Sequence, residues 1–189
     1  MTRPNDLGLY VHVPFCRRKC RYCDFYSRPP QSGEMDRFVA AALREAQLRR
    51  TPGRRAGTVY LGGGTPTLLG PARLGRILSG LAEVFGTAGD AEITLEANPL
   101  DVTAESAEAF RGAGFNRISV GVQSVCEEDL AFLGRLHHAA DGPAAVRAAR
   151  ESGFENVGID LIYGLPGQTR DALRERLESA VEQCRPDHV

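Results

Sequence analysis

Short runs rich in β-branched residues alternate along the chain with longer segments whose apolar residues return every three or four positions. That is the pattern of strands alternating with amphipathic helices. Leu7 to Pro14 reads as a first strand. After a polar loop, Met35, Phe38, Val39, Ala42, Leu43 and Ala46 lay one apolar stripe along a helix of about four turns. Thr58 to Leu61 is a second strand, and Pro71 suits the first turn of a helix whose inward face is Leu74, Ile77, Leu78, Leu81 and Phe85. Ala91 to Leu95 makes a third strand. Thr103 can cap a helix that ends at Gly112 or Gly114, because glycine accepts the left-handed conformation that closes a helix. Arg117 to Val122 is a fourth strand, helical stretches cover Glu127 to Arg135 and Pro143 to Ser152, and Val157 to Ile162 is a fifth strand. Thr169 then caps a last helix. A weak internal repeat aligns GAGFNRISVGV with ESGFENVGIDL, each reading as a helix end, a turn and a strand. Successive βα units with right-handed crossovers give an α/β fold with a parallel sheet, either open and doubly wound or part of a (β/α) barrel. Periodicity does not choose between the two. Asp187 to Val189 reads as the start of a sixth strand, so the chain is expected to stop inside its fold, leaving an exposed edge that favours association.

Composition narrows the function classes. The 189 residues carry 23 Lys+Arg against 24 Asp+Glu, a formal net charge of -1, without the basic excess expected of a nucleic-acid or anionic-membrane binder. At roughly 150 residues per domain the length fits one domain with a real core. No apolar run is long enough to span a bilayer, and the opening MTRPNDLGLY lacks a secretory pattern, so a soluble cytoplasmic protein is expected. Five cysteines, an odd number, point to metal or redox chemistry before a disulfide framework.

The residues that call for a chemical explanation fall at the carboxyl ends of the strands, where parallel α/β folds build their sites. The first strand runs into PFCRRKCRYCDFYS, the second into GGGTPT, the third into Glu96-Ala97-Asn98-Pro99, the fourth into Gln123-Ser124, and the fifth into Asp160 and YGLPG. Cys16, Cys20 and Cys23 stand at C-x3-C-x2-C in a loop that can gather three thiolates around one centre, and soft sulfur selects zinc, copper(I) or an iron–sulfur cluster. A closed zinc site wants a fourth ligand. His12 either completes such a Cys3His site or serves as a hydrogen-bonding residue beside Tyr10. Cys126 has no partner in sequence, and Cys184 shares the apolar face of the last helix with Leu173, Leu177 and Val181, as a small buried hydrophobe would. On a four-iron cluster, three cysteines leave one iron open, and an open position binds substrate or cofactor. GGGTPT lacks the Lys-Ser/Thr pair of a nucleotide P-loop. Arg17, Arg18, Lys19 and Arg21 form a basic run that reads as a solvated loop, or as a means of lowering thiolate pKa or steering an acidic partner.

Six segments in order, YVHVPFCRRKCRYCDFYS, GGGTPT, EANP, SVGVQS, LGRLH and GIDLIYGLPGQT, resemble the radical S-adenosylmethionine (SAM) enzymes, and within them the HemN/HemW group. The resemblance covers nearly the whole chain. It implies a partial (β/α)6 TIM-like barrel, with residues 1–189 forming a radical SAM core that lacks its sixth strand and the group's C-terminal domain. It implies that Cys16, Cys20 and Cys23 hold a 4Fe-4S cluster whose fourth iron is chelated by SAM, and that one electron cleaves SAM to methionine and a 5′-deoxyadenosyl radical. Gly63, Gly64 and Thr65 match the glycine-rich SAM motif, where a backbone without Cβ can approach the ligand closely. Glu96 would face the cationic part of SAM. Gln123, Arg135 and Asp160 match further SAM-contacting positions, and Tyr10 and Tyr22 match positions beside the cluster and cofactor. Taken singly, Glu96 and Asp160 also fit caps or surface ion pairs, Arg135 a solvated helix position and Tyr22 simple exposure.

The group joins two activities. Its oxygen-independent coproporphyrinogen III oxidases read C-x3-C-x2-C-x-C, whereas this chain has Phe25 at the last of those positions, and its DFYS ending is similar to the heme-chaperone branch. The resemblance therefore implies heme delivery to recipient hemoproteins, with SAM, heme or another tetrapyrrole and an electron donor such as a flavodoxin-like protein as partners. Oxidative decarboxylation in porphyrin biosynthesis is the alternative, and a structural zinc module is the reading from a different class.

Overall fold

The computed structural model of the chain describes residues 6–189. Residues 1–5, the start of the stretch read above for a secretory signal, lie outside the described residues. Five strands, β1 (Leu7–Val13), β2 (Ala56–Gly63), β3 (Thr87–Ala97), β4 (Arg117–Gln123) and β5 (Asn156–Leu161), form one sheet in the order β1-β2-β3-β4-β5. Every pairing is parallel. Among the described residues five helices connect them, α1 (Glu34–Leu48), α2 (Gly70–Phe85), α3 (Ala104–Gly112), α4 (Glu127–Leu133) and α5 (Asp141–Glu151), and α6 (Arg170–Cys184) follows β5. Sequential order with every strand parallel is the arrangement of a barrel wall, so the partial-barrel expectation holds over the doubly wound one. Among the described residues no helix is long and apolar enough to cross a membrane.

Alternation along the strands separates two faces. Val59, Leu61, Leu95, Ile118 and Val157 are buried in one core with helix residues Val39, Leu74, Ile77, Phe110 and Val146. The opposite positions, Tyr10, His12, Tyr60, Glu96 and Ser119, bear polar groups that bond with one another across the concave face.

The internal repeat is a pair of matching helix ends. Phe115 donates its N–H to Phe110 O and Gly114 to Arg111 O, while Phe154 donates to Ala149 O and Gly153 to Arg150 O. Both glycines have positive φ, 110° and 88°, so each helix closes in a Schellman motif. Each motif drops a phenylalanine into the core, Phe115 at 0% and Phe154 at 1% exposure. Thr103 and Thr169 cap their helices as the sequence predicts, accepting from Ser106 and Ala172 N–H.

The differences from the sequence reading are local. The third strand is longer, starting at Thr87, and short 3₁₀ turns at Pro66–Leu69 and Pro99–Asp101 follow β2 and β3. Cys184 is buried as expected and burial raises its thiol to about 11, but Leu177 and Val181 on the predicted apolar face are exposed. The predicted start of a sixth strand is present as one parallel bridge, His188 beside Gly158, with Ile159 donating to His188 O at 3.1 Å.

Truncating Phe115 to Ala leaves a cavity that the Schellman turn cannot close. Its unfolding free energy in a urea titration is expected to fall by about 3–5 kcal/mol. The exposed Leu48→Ala control should stay within about 0.5 kcal/mol of wild type.

Candidate functional site

The cysteine loop is closed at its base by backbone contacts. Phe15 bridges Arg28, Cys16 donates its N–H to Arg28 O at 3.1 Å, and Arg28 donates to Pro14 O at 3.1 Å. The GGGT turn after β2 supports the same stem, with Gly64 N–H on Val13 O at 2.8 Å and Thr65 N–H on Phe15 O at 2.7 Å. A Cβ at Gly64 would lie 2.5 Å from Phe15 O, so this glycine is required first by the protein's own packing.

The basic run ties the loop down. Arg17 pairs with Asp101 at 2.6 Å, and Thr67 holds the other oxygen of that carboxylate at 2.8 Å. Arg18 donates to Gly134 O at 2.7 Å and Lys19 to Phe25 O at 3.2 Å, while the Arg21 amide reaches Leu133 O at 3.4 Å. Two of these contacts engage the carbonyl end of α4, where the helix dipole favours positive charge. The run is exposed, as the solvated-loop reading expects, and Arg17 and Arg18 in addition tie the loop to Asp101 and Gly134 while Lys19 bonds within the loop.

A cavity of about 540 Å³ opens where the loop meets the strand ends. Cys16, Cys20, Cys23 and Tyr22 line it from the loop, Gly63, Gly64 and Thr65 from β2, Glu96 from β3, and Gln123, Arg135 and Asp160 from the far wall. Of the residues that the resemblance assigns to the cluster and SAM, Tyr10 alone is not on this lining. It stacks on Tyr60 at 5.9 Å between centroids and donates to His12 Nδ1 at 3.3 Å on the same concave face.

One chain of hydrogen bonds joins three strands to the cysteines. Thr65 Oγ1 donates to Cys16 Sγ at 3.4 Å and accepts from Asn98 Nδ2 at 2.9 Å. The Asn98 amide oxygen takes Arg135 Nη2 at 2.5 Å, and the same nitrogen reaches Gly121 O at 2.9 Å. Arg135 Nη1 then returns to the loop, 3.7 Å from Cys20 Sγ and 3.4 Å from the Tyr22 hydroxyl. Glu96 accepts from the Tyr60 hydroxyl at 2.6 Å and the Gly63 N–H at 2.9 Å, and Asp160 accepts from Ser119 at 3.2 Å. Gln123 sits at φ 67°, inside the left-handed region that glycine usually occupies, with Ser124 N–H folded back onto Val122 O at 2.8 Å.

Burial governs the titrations. Desolvation pushes the Tyr22 phenol up to about 12 against the pull of Arg135, and lifts Tyr60 further with Glu96 as its acceptor. The Asp160 carboxyl is raised because surrounding protein withholds water from it, even though its side chain opens into the cavity. His137 is lowered to about 4, chiefly by burial and then by the adjacent Arg135 charge.

The sequence reading assigned no role to His137, Ser119 or Ser27, and marked Asn98 only as part of the Glu96-Ala97-Asn98-Pro99 segment. Asn98 stands two positions after Glu96 at the end of β3, and that alternation was the available signal for it. Ser27 lines the cavity, yet its hydroxyl is buried with no protein partner. His12 uses Nε2 on Tyr26 O at 2.9 Å and Nδ1 on Tyr10, which leaves neither nitrogen for a Cys3His zinc site. Among the described residues no three His, Cys, Asp or Glu side chains, those of the loop cysteines included, form a group that could hold a metal ion. Three free thiols, an orphaned hydroxyl and a guanidinium with no carboxylate partner among the described residues instead suit a group that brings its own inorganic core and an anionic ligand.

A family model described as the radical SAM superfamily matches residues 10–180, and the chain belongs to that superfamily. Within it, the chain is 42% identical over 187 residues to a heme chaperone HemW of Mycobacterium tuberculosis, covering 96% of this chain and 48% of that protein. It is 38% identical over 193 residues to the HemW of Escherichia coli, covering 100% of this chain and 50% of that one. Coproporphyrinogen III oxidase (HemN) of Escherichia coli, described as a radical SAM enzyme, superposes with a TM-score of 0.84 at 35% identity, over 97% of this chain and 43% of its own. The chain spans about half the length of the curated relatives it matches.

Two outcomes test this geometry. Gly64→Ala must displace the Phe15 carbonyl and is expected to cost about 1–3 kcal/mol in urea unfolding, whereas Gly89→Ala, with open space around its Cβ, should change stability by less than about 0.5 kcal/mol. Because the folded-state pKa of His137 lies below its ordinary 6.5, the unfolded chain binds the extra proton first as pH falls. The stability that neutral His137 contributes should be complete above pH 6.5 and lost as pH drops through about 4. The difference in urea midpoint between wild type and His137→Asn, followed from pH 7.5 to 4, reads this directly.

Proposed function

We propose that this chain is the cluster- and SAM-binding portion of a heme chaperone of the HemW kind, acting in heme delivery to hemoproteins in the cytoplasm. The observation that carries the reading is the meeting of three cysteine thiols and a guanidinium without a carboxylate partner on one cavity at the strand ends. Cys16, Cys20 and Cys23 would hold a 4Fe-4S cluster, which supplies one-electron reductive cleavage of SAM when bound. Arg135 is suited to the SAM carboxylate, with Asn98 and Gly121 O orienting its fork. Glu96 offers a carboxylate to the cationic part of the ligand, and its two donors fix where that charge sits. Gly63, Gly64 and Thr65 present backbone to the amino-acid end, and Gln123, Asp160 and Tyr22 complete the wall.

Two observations favour the chaperone over porphyrin chemistry: the HemW relatives above, and the apolar Phe25 on the cavity lining where the oxidase pattern has cysteine. The second reading, coproporphyrinogen III oxidation, draws support from the likeness to HemN. A flavodoxin-like reductant, heme or another tetrapyrrole, and recipient hemoproteins are the partners this reading requires.

Anaerobic reconstitution with iron and sulfide, followed by EPR of the reduced protein with and without SAM, tests the site. Wild type is expected to bind about four irons per chain and to change its reduced-state signal when SAM is added, and Cys20→Ala to lose both. Uptake of a single zinc, or a cluster indifferent to SAM, overturns the reading. Turnover of coproporphyrinogen III by the reconstituted protein would transfer the assignment to the oxidase.

A further inference from the structure

His137 is a buried histidine, 5% exposed, with no place in the function proposed above. Its Nε2 lies 3.0 Å from Val122 O, and a carbonyl only accepts, so Nε2 carries the ring hydrogen. Nδ1 is then an acceptor, and it faces the Nε–H of Arg135 at 3.4 Å. One tautomer of the neutral ring satisfies both contacts. The doubly protonated ring keeps the Val122 contact but loses the other: it would set an N–H against the Arg135 N–H and a second positive charge beside the first.

Both ends of this bridge are positions the cavity uses. Val122 O also accepts Ser124 N–H at 2.8 Å, closing the three-residue turn that holds Gln123 at φ 67°. Arg135 presents its remaining N–H groups to Asn98, Gly121 O, Cys20 and Tyr22. Its backbone is fixed as well, because α4 ends in a Schellman motif, with Gly134 at φ 72° donating to Ala131 O and Arg135 to Leu130 O. Five N–H groups in a planar fork can swing about the side-chain axis unless Nε is held, and His137 supplies the acceptor that holds it.

We propose that His137 is a positioning residue: its neutral ring, anchored on the Val122 carbonyl, locks the guanidinium of Arg135 and the Gln123 turn into one rigid wall that reads the anionic end of the bound ligand. This rests on the reading that Arg135 addresses the SAM carboxylate. Supporting groups of this kind move ligand affinity by about 10–100-fold when lost, without being ligands themselves.

The test uses the reconstituted chain and equilibrium binding of SAM, with iron content measured on the same samples. His137→Phe is expected to weaken SAM binding about 10–100-fold while iron content and cluster absorbance stay at wild-type levels. His137→Asn places an amide oxygen near the Nδ1 position and is expected to recover most of the affinity. A second readout needs no cofactor. ¹⁵N NMR of the apo chain should show the Nε2–H tautomer at His137 and a slowly exchanging Arg135 Nε–H whose exchange speeds up in His137→Phe. Wild-type affinity in His137→Phe, or an Nδ1–H tautomer in wild type, overturns the proposal. Should wild type fail to bind SAM while the NMR signatures are as stated, the cofactor reading falls and the positioning role stands. Should His137→Phe fail to fold, the tautomer in wild type and the affinity of His137→Asn decide.

Discussion

Arg135 carries a full positive charge among neutral acceptors, an asparagine oxygen, a backbone carbonyl, a histidine nitrogen, a phenol and a thiol. A half-buried guanidinium satisfied in geometry but not in charge is a standing demand for an anion, and the surrounding wall is arranged to keep that demand aimed into one cavity. Asn98 fixes it from β3, Gly121 from β4, and the Schellman turn at Gly134 fixes its backbone. Remove the fork and the contacts from Thr65 through Asn98 to the cysteine loop lose their common partner.

The loop depends on the same neighbourhood from the other side. A segment carrying three thiols and four basic residues has little apolar surface with which to hold itself in place, so its position comes from polar contacts. Arg17 reaches Asp101 beyond β3 and Arg18 reaches the carbonyl end of α4. Positive charge that the sequence alone leaves free to steer a partner is thereby committed to structure, and the thiols are held at the mouth.

The two halves of the barrel wall divide the work. The helix-facing residues make a continuous apolar core, and the repeated Gly-Phe helix ends seal it with Phe115 and Phe154. The concave face is polar, with Tyr60 on Glu96 and Ser119 on Asp160. Because Tyr60, Glu96, Ser119 and Asp160 each have a protein partner there, those groups stay satisfied while the face is open, and the ligand needs only to meet the outermost ones.

The sequence by itself determined the parallel α/β wall, because strand and helix periods alternate along the chain. It also marked the cavity, since special residues fell at successive strand ends: three cysteines, GGGT, Glu96, Gln123 and Asp160. Thr103 and Thr169 as caps, and Gly114 as a helix stop, are chemistry written within a few residues and so readable in one dimension. Only the tertiary structure decided the rest. It left Tyr10 off the cavity lining, stacked on Tyr60. It gave the basic run its anchors, it placed Asn98 between Thr65 and Arg135, and it fixed the hydrogen on His137. These are contacts between segments tens of residues apart, and local spacing holds no information on which donor will meet which acceptor once the strands are side by side.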